Sequence, residues 1–187
     1  MFLFIILLLS LIILIRQFFK FLIKDKKEFR INKKILLLED YTKITNLLTD
    51  ITMLPNIKRC NIVKVVELPI KGTQHVIKIL FSRGEGSIEF RKNYTYFEVD
   101  DFYINFIENL KKDELVEINL EEIEDCFLKK LSPIIGIKEL VAIKLISNKN
   151  KLIYCTLSSN EIGSLGNYLA EIKVLKVELQ KLISSVF

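Results

Sequence analysis

Residues 136–160 read GIKELVAIKLISNKNKLIYCTLSSN. Two runs rich in Val, Ile and Leu flank the turn-forming Asn148-Lys149-Asn150. This is the pattern of a β-hairpin, with strands over 138–147 and 151–158. Toward the C-terminus, Ser158 or Asn160 is placed to cap a long helix from Glu161 to about Ser184, and Ser158 with Glu161 has capping-box spacing. Its apolar residues Leu165, Leu169, Ile172, Leu179 and Ile183 recur at threes and fours, interrupted at Lys176.

Toward the N-terminus, Glu121 to Leu131 reads as a short helix with Glu121, Glu122 and Glu124 near its positive end. Leu115 to Leu120 alternates as a short strand. Asp100 or Asp101 caps a helix reaching Lys111, with Phe102, Phe106, Ile107 and Leu110 on its apolar face. Ser87 to Lys92 reads as a strand, preceded by the turn Arg83-Gly84-Glu85-Gly86. His75 to Ser82 and Cys60 to Leu68 are strands joined through a turn containing Pro69 and Gly72. Pro55 ends a helix over 24–54 whose stripe is Leu37, Tyr41, Ile44, Leu48 and Ile51. The fold class is α/β of the α+β type, an antiparallel sheet flanked by helices. The two helical stripes have three available partners: each other, the sheet, or a second copy of the chain. A homo-oligomer of two or more copies is the expectation.

Residues 1–15, MFLFIILLLSLIILI, have Ser10 as their one polar side chain. Fifteen helical residues reach roughly 22 Å, short of a hydrocarbon core of about 30 Å. Apolar residues resume past Arg16, so a span over 1–23 is expected, with Phe2, Ile5, Leu8, Leu11, Ile15, Phe18, Phe19 and Leu22 toward lipid. Arg16 and Lys20 reach for headgroups, and Lys24, Lys26, Lys27 and Arg30 form a basic flank at the membrane surface. No basic residue precedes the apolar run and no small-residue cleavage site follows it, which favours an uncleaved anchor. The positive-inside rule puts the N-terminus outside and the remainder in the cytoplasm. The expected domains are an anchor over 1–23, a juxtamembrane helix over 24–54 and an α/β domain over 55–187.

The whole chain has 187 residues, a net charge of +5, and a mean hydropathy of +0.31. The charge is uneven. Residues 1–34 hold eight basic and two acidic side chains, and the rest holds 20 basic and 21 acidic ones. The globular part is thus near neutral, which excludes a basic nucleic-acid face. Half the residues are hydrophobic, which excludes a disordered chain. Three widely spaced cysteines, Cys60, Cys126 and Cys155, form neither a disulfide framework nor a local metal motif, and unpaired thiols suit a reducing compartment.

The order of elements resembles a GAF domain, the PAS-like sensor fold. Gly136, Ile137, Ala142, Ile143 and Leu145 match the family's strand outline. Lys144 stands at the family's Pro position, and Tyr154 or Cys155 replaces the Gly of the following strand. The likeness covers residues 36–185 in element order and about fifty residues in sequence pattern. It implies a sensing or interaction module, with the aromatic-rich middle covering the sheet where family members bind ligands. Tyr96, Phe97, Phe102 and Phe106 are the lining residues that the resemblance offers. A single N-terminal span, a connecting helix and a mixed domain also resemble, in layout alone, the T-even phage holin. That gives the alternative of a lysis protein with an external domain. Topology separates the two.

Motifs for chemistry are sparse. His75 is the sole histidine and opens a strand, where a structural role is the simpler reading. No G-x-S-x-G occurs. Gly84 and Gly86 form G-x-G, but position 89 is Glu rather than Gly, so a hairpin turn is the simpler reading. Glu121, Glu122, Glu124 and Asp125 suit a helix N-terminus better than an acid/base pair. Asn93-Tyr94-Thr95 matches a glycosylation acceptor, which a cytoplasmic domain does not use. No catalytic residue, metal or cofactor is assigned. The expected partners are the lipid bilayer, a second copy of the chain, and a membrane or cytoplasmic protein.

Overall fold

The computed structural model describes residues 36–68, 74–88, 97–98, 100–124, 126, 136–148 and 151–187. The chain divides into two units between Tyr41 and Thr42. Of the first, residues 36–41 are described, and they are helical. The span over 1–23 and its basic flank lie outside the described residues. Among the described residues no helix is long and apolar enough to cross a membrane.

The second unit is built on a six-stranded sheet. Within it the helix α1, over 42–52, leads through a turn into β1 (Ile57–Leu68). Then come β2 (Gln74–Gly84), the short β3 (Phe97–Glu98), and α2 (Asp101–Lys112). β4 (Leu115–Asn119), β5 (Glu139–Asn148), β6 (Lys151–Ser159) and α3 (Leu169–Val186) complete it. The strand order is β3-β2-β1-β6-β5-β4, with every neighbouring pair antiparallel. β1 pairs with β6, 83 residues later in sequence at its start, which closes the central four strands.

Strand periodicity assigns the two faces. On the first, Cys60 and Ile62 of β1, Cys155 and Leu157 of β6, and Val141, Ile143 and Leu145 of β5 pack with Ile44, Leu48 and Ile51 of α1 and Ile172, Leu179 and Ile183 of α3. Fully burying each Leu or Ile here contributes about 1.5–3 kcal/mol. Both helical stripes are thus buried in one cluster with the sheet of the same chain. Lys176, the break in the α3 stripe, donates to the Glu114 carboxylate at 2.8 Å and holds its pKa below the usual range. On the second face, α2 sets Tyr103, Phe106, Ile107 and Leu110 against Val63, Val65, Ala142, Leu152 and Tyr154.

The strand pair read over 138–147 and 151–158 is present as β5 and β6 with shifted bounds, and the turn residues 149–150 lie outside the described residues. The cap of α2 is Asp100, whose Oδ1 accepts from the Tyr103 N–H at 2.9 Å. Three expectations are corrected. Ser87 and Ile88 are helical, not the start of a strand; residues 89–92 lie outside the described residues, and β3 pairs with β2 from Phe97. No helix begins at Glu121. There Asn119 bends the chain, its Oδ1 accepting from the Glu121 N–H at 3.0 Å and its Nδ2 donating to Glu122 at 2.7 Å. The long helix begins at Leu169, not Glu161, after a 3₁₀ turn over Leu165–Tyr168. Gly163 sits at φ +77° and interrupts it. Ser159, not Ser158 or Asn160, organises this corner, accepting from the Glu161 N–H at 3.0 Å and bonding the Ser164 hydroxyl at 2.6 Å.

Gly84 closes β2 at φ +99°. A Cβ there would lie 2.3 Å from the Lys58 carbonyl oxygen, so only glycine fits this close approach of β1 and β2.

Candidate functional site

The sheet face under α2 carries polar side chains in register. Asn61 of β1 lies opposite Ser82 of β2 and Thr156 of β6. Ser82 Oγ donates to Asn61 Oδ1 at 2.6 Å, and Asn61 Nδ2 donates to Thr156 Oγ1 at 3.1 Å. All three are buried. One row along, Arg59 pairs with Ser158, and both are buried. The Ser158 hydroxyl has no hydrogen-bond partner among the described residues.

On the other side of the Asn61 row stands Tyr154, fully buried, its hydroxyl bonded to that of Tyr103 from α2. Phe106 meets both rings edge-on, at centroid distances of 5.2 and 5.8 Å. Burial raises the pKa of both phenols, so both stay protonated well above neutral pH. The three rings occupy the space between α2 and the middle of the sheet.

The open concavity lies farther out, between α2 and β4. It is a cleft of about 390 Å³. One wall is the α2 face formed by Phe102, Asn105, Phe106 and Asn109, and the other is Val116 to Asn119 of β4. Glu122 and Ile123 close one end. Asn105, Asn109, Glu117 and Glu122 are exposed, so its polar groups remain hydrated when empty. The lining mixes two aromatic rings and three aliphatic side chains with amides and two carboxylates, and it includes no His, Cys, Ser, Lys or Arg among the described residues. Such a surface can bind and orient a ligand through its rings and amides, and its two carboxylates give it an acidic character.

The expected lining residues fall in different places. Phe102 and Phe106 line the cleft. Tyr96 lies outside the described residues, and Phe97 is described through its backbone in β3. The stripe residues Ile44, Leu48, Ile51, Leu165, Ile172, Leu179 and Ile183 are in the core; Leu37 and Leu169 are half-buried, and Tyr41 is exposed. The backbone of His75 pairs with Glu67. Glu121, Glu122 and Glu124 are exposed, and Glu121 meets Lys138 at 3.2 Å. Cys60 and Cys155 bring their sulfurs to 3.4 Å on the first face, where burial pushes the Cys60 thiol up. Among the described residues no group of His, Cys, Asp or Glu is placed to hold a metal ion. The polar row Ser82–Asn61–Thr156 was missed by sequence reading. Its signal is a period of two: Asn61 among apolar residues of a strand, and Thr156 two residues after Tyr154.

The architecture is GAF-like. The chain is similar in fold to the GAF domain region of a protein described as a membrane protein from Geobacter sulfurreducens PCA, at TM-score 0.56 and 17% identity, covering 82% of this chain and 97% of that one. It is similar to the GAF domain of a two-component sensor histidine kinase from Bacillus halodurans, at TM-score 0.55 and 15% identity, covering 76% and 92%. A type II free methionine-R-sulfoxide reductase from Thermoplasma acidophilum has the same fold at TM-score 0.54 and 9% identity, covering 81% and 96%. No family model and no curated protein matches the chain. The layout likeness to a phage holin has no counterpart among these structures.

Proposed function

We propose that the chain is a membrane-tethered, non-catalytic sensing or interaction module with its GAF-like domain in the cytoplasm. The observation that carries this reading is the cleft between α2 and β4, whose rings, amides and carboxylates suit binding and whose described lining has no His, Cys, Ser or Lys. Apolar residues 1–23, followed by Lys24, Lys26, Lys27 and Arg30, support the tether and its orientation. Its action is positional: the span keeps the cleft near the bilayer surface, and an occupant matters by favouring one state of the domain. Self-association belongs to the same reading. Because the stripes face the sheet, it would use the outer side of α3, where Val174 and Val177 are exposed.

The test is fractionation with topology. Reporters active only inside or only outside the cytoplasm are fused after Phe187. Retention in carbonate-washed membranes with cytoplasmic reporter activity is expected. Recovery in the soluble fraction overturns the tether, and external activity overturns the orientation and brings forward the lysis reading.

A further inference from the structure

The second wall of the cleft is made by four consecutive residues, Val116, Glu117, Ile118 and Asn119. Consecutive side chains of a strand point to opposite faces. What these four share on the cleft is therefore the edge of β4, its backbone. Among the described residues β4 ends the sheet, with β5 as its one neighbour. The ladder fixes which groups point outward. Lys144 N–H donates to the Glu114 carbonyl at 2.9 Å, and Leu120 N–H to the Lys138 carbonyl at 2.8 Å. The register has no bulge, so the intervening Val116 and Ile118 turn N–H and C=O toward β5. Leu115, Glu117 and Asn119 turn theirs away. The Asn119 carbonyl accepts from the Glu122 N–H, while no described residue takes the N–H or C=O of Glu117.

An outward strand edge beside a helix wall is a template for an added strand. We propose, resting on the interaction-module reading, that this cleft captures an extended peptide segment of a partner protein, which adds to β4 as a seventh strand. The lining states the chemistry of that segment. Val116 and Ile118 face the side on which α2 packs, as the register with Ala142 and Leu140 shows. Alternate residues of an added strand would lie over Phe102 and Phe106 and should be apolar. The other alternate residues lie beside Glu117. Two carboxylates, Glu117 and Glu122, line the cleft without a basic residue among the described lining, so these positions should be Lys or Arg. The partner is thus a segment of alternating apolar and basic residues.

The test uses the full chain and fluorescein-labelled Lys-Val-Lys-Val-Lys-Val, read by anisotropy. Three comparisons decide it. Replacing Lys by Glu in the peptide should weaken binding at least tenfold. N-methylation of alternate residues, in both phases, should abolish it in one phase and spare it in the other, because only one set of N–H groups faces β4. In the protein, Glu117→Pro removes an outward N–H that the β5 ladder does not use, and should abolish binding with an unchanged circular dichroism spectrum. Glu117→Lys, which keeps the backbone, should weaken binding about tenfold and serves if the proline variant fails to fold. No binding at millimolar peptide, equal loss in both methylation phases, or full binding by Glu117→Lys overturns the proposal. A chain retained at the membrane that ignores the peptide removes this inference alone; a chain released from the membrane removes the reading beneath it.

Discussion

The two faces of the sheet are covered by the same means, a helix laid on strands, but with different chemistry. Under α1 and α3 the buried polar groups sit at one end of the sheet, where Glu139 accepts from the Leu165 N–H at 3.1 Å and Ser159 bonds Ser164, and the rest of the cluster is apolar down to the thiols of Cys60 and Cys155. The face under α2 contains a hydrogen-bonded row, Ser82–Asn61–Thr156, and a pair of phenols. An apolar face tolerates any close packing of the right volume. A polar row requires each partner in place, because an orphaned buried group costs more than its bond contributes. The first cluster therefore asks only for close packing, and the polar row on the second face fixes the register of β2, β1 and β6. The open cleft borders the second face.

Truncation at the heart of the first face should have the largest effect. Leu48 is fully buried between α1 and the sheet. Leu48→Ala should destabilise the domain by about 2–5 kcal/mol in chemical denaturation, through lost burial and the cavity left behind. A loss under about 1 kcal/mol would mean that α1 contributes little to this face. Next comes the hub of the polar row. Asn61→Leu keeps the branched shape but strands the Ser82 and Thr156 hydroxyls, at about 1–3 kcal/mol for each group left unbonded. The triple change Asn61→Leu, Ser82→Ala, Thr156→Val should recover much of that loss, since no polar group is then orphaned. If the triple variant is no better than the single one, the row is not a hydrogen-bonded unit.

The first face was legible in the sequence because its code is periodic. Leu48 and Ile51, or Leu179 and Ile183, recur at helical spacing, and Val141, Ile143 and Leu145 at strand spacing. The stripes declared that they were buried without declaring against what. The second face was half legible. Phe102 and Phe106 stood out as aromatic residues on an amphipathic helix, and both line the cleft. The polar row did not, because Asn61, Ser82 and Thr156 lie on three strands and become neighbours only through the register. The misplaced helix start at Glu161 has a local cause. Ser158 and Glu161 have the spacing of a capping box, but the backbone of Ser158 is held in β6 opposite Arg59 and Leu140, and Ser159 takes the Glu161 N–H instead. Tertiary pairing overrode a local signal. The edge of β4 was invisible for a related reason: no side-chain pattern states which strand ends a sheet.

The phenol pair gives the finest comparison between the faces, and its expected effect is the smallest. Tyr154→Phe keeps the ring against Phe106 and leaves the Tyr103 hydroxyl buried alone, a cost of about 1 kcal/mol. Tyr103→Phe with Tyr154→Phe removes both hydroxyls and should be nearly neutral. The pair also has a signature in phenolate absorbance that the buried thiols of the first face lack. Burial raises both phenol pKa values above 10.0, the ordinary value they regain on unfolding. The unfolded chain therefore loses protons first as pH rises. The contribution of the pair is fully present below about pH 10 and is lost progressively above it. Titrating the chain while following phenolate absorbance near 295 nm should show two tyrosines that ionise only as the domain unfolds. The double Phe variant should lack that step and lose less stability above pH 10 than the parent. Two tyrosines ionising near pH 10 in the folded domain would mean that water reaches the pair, and that the second face is open where the structure closes it.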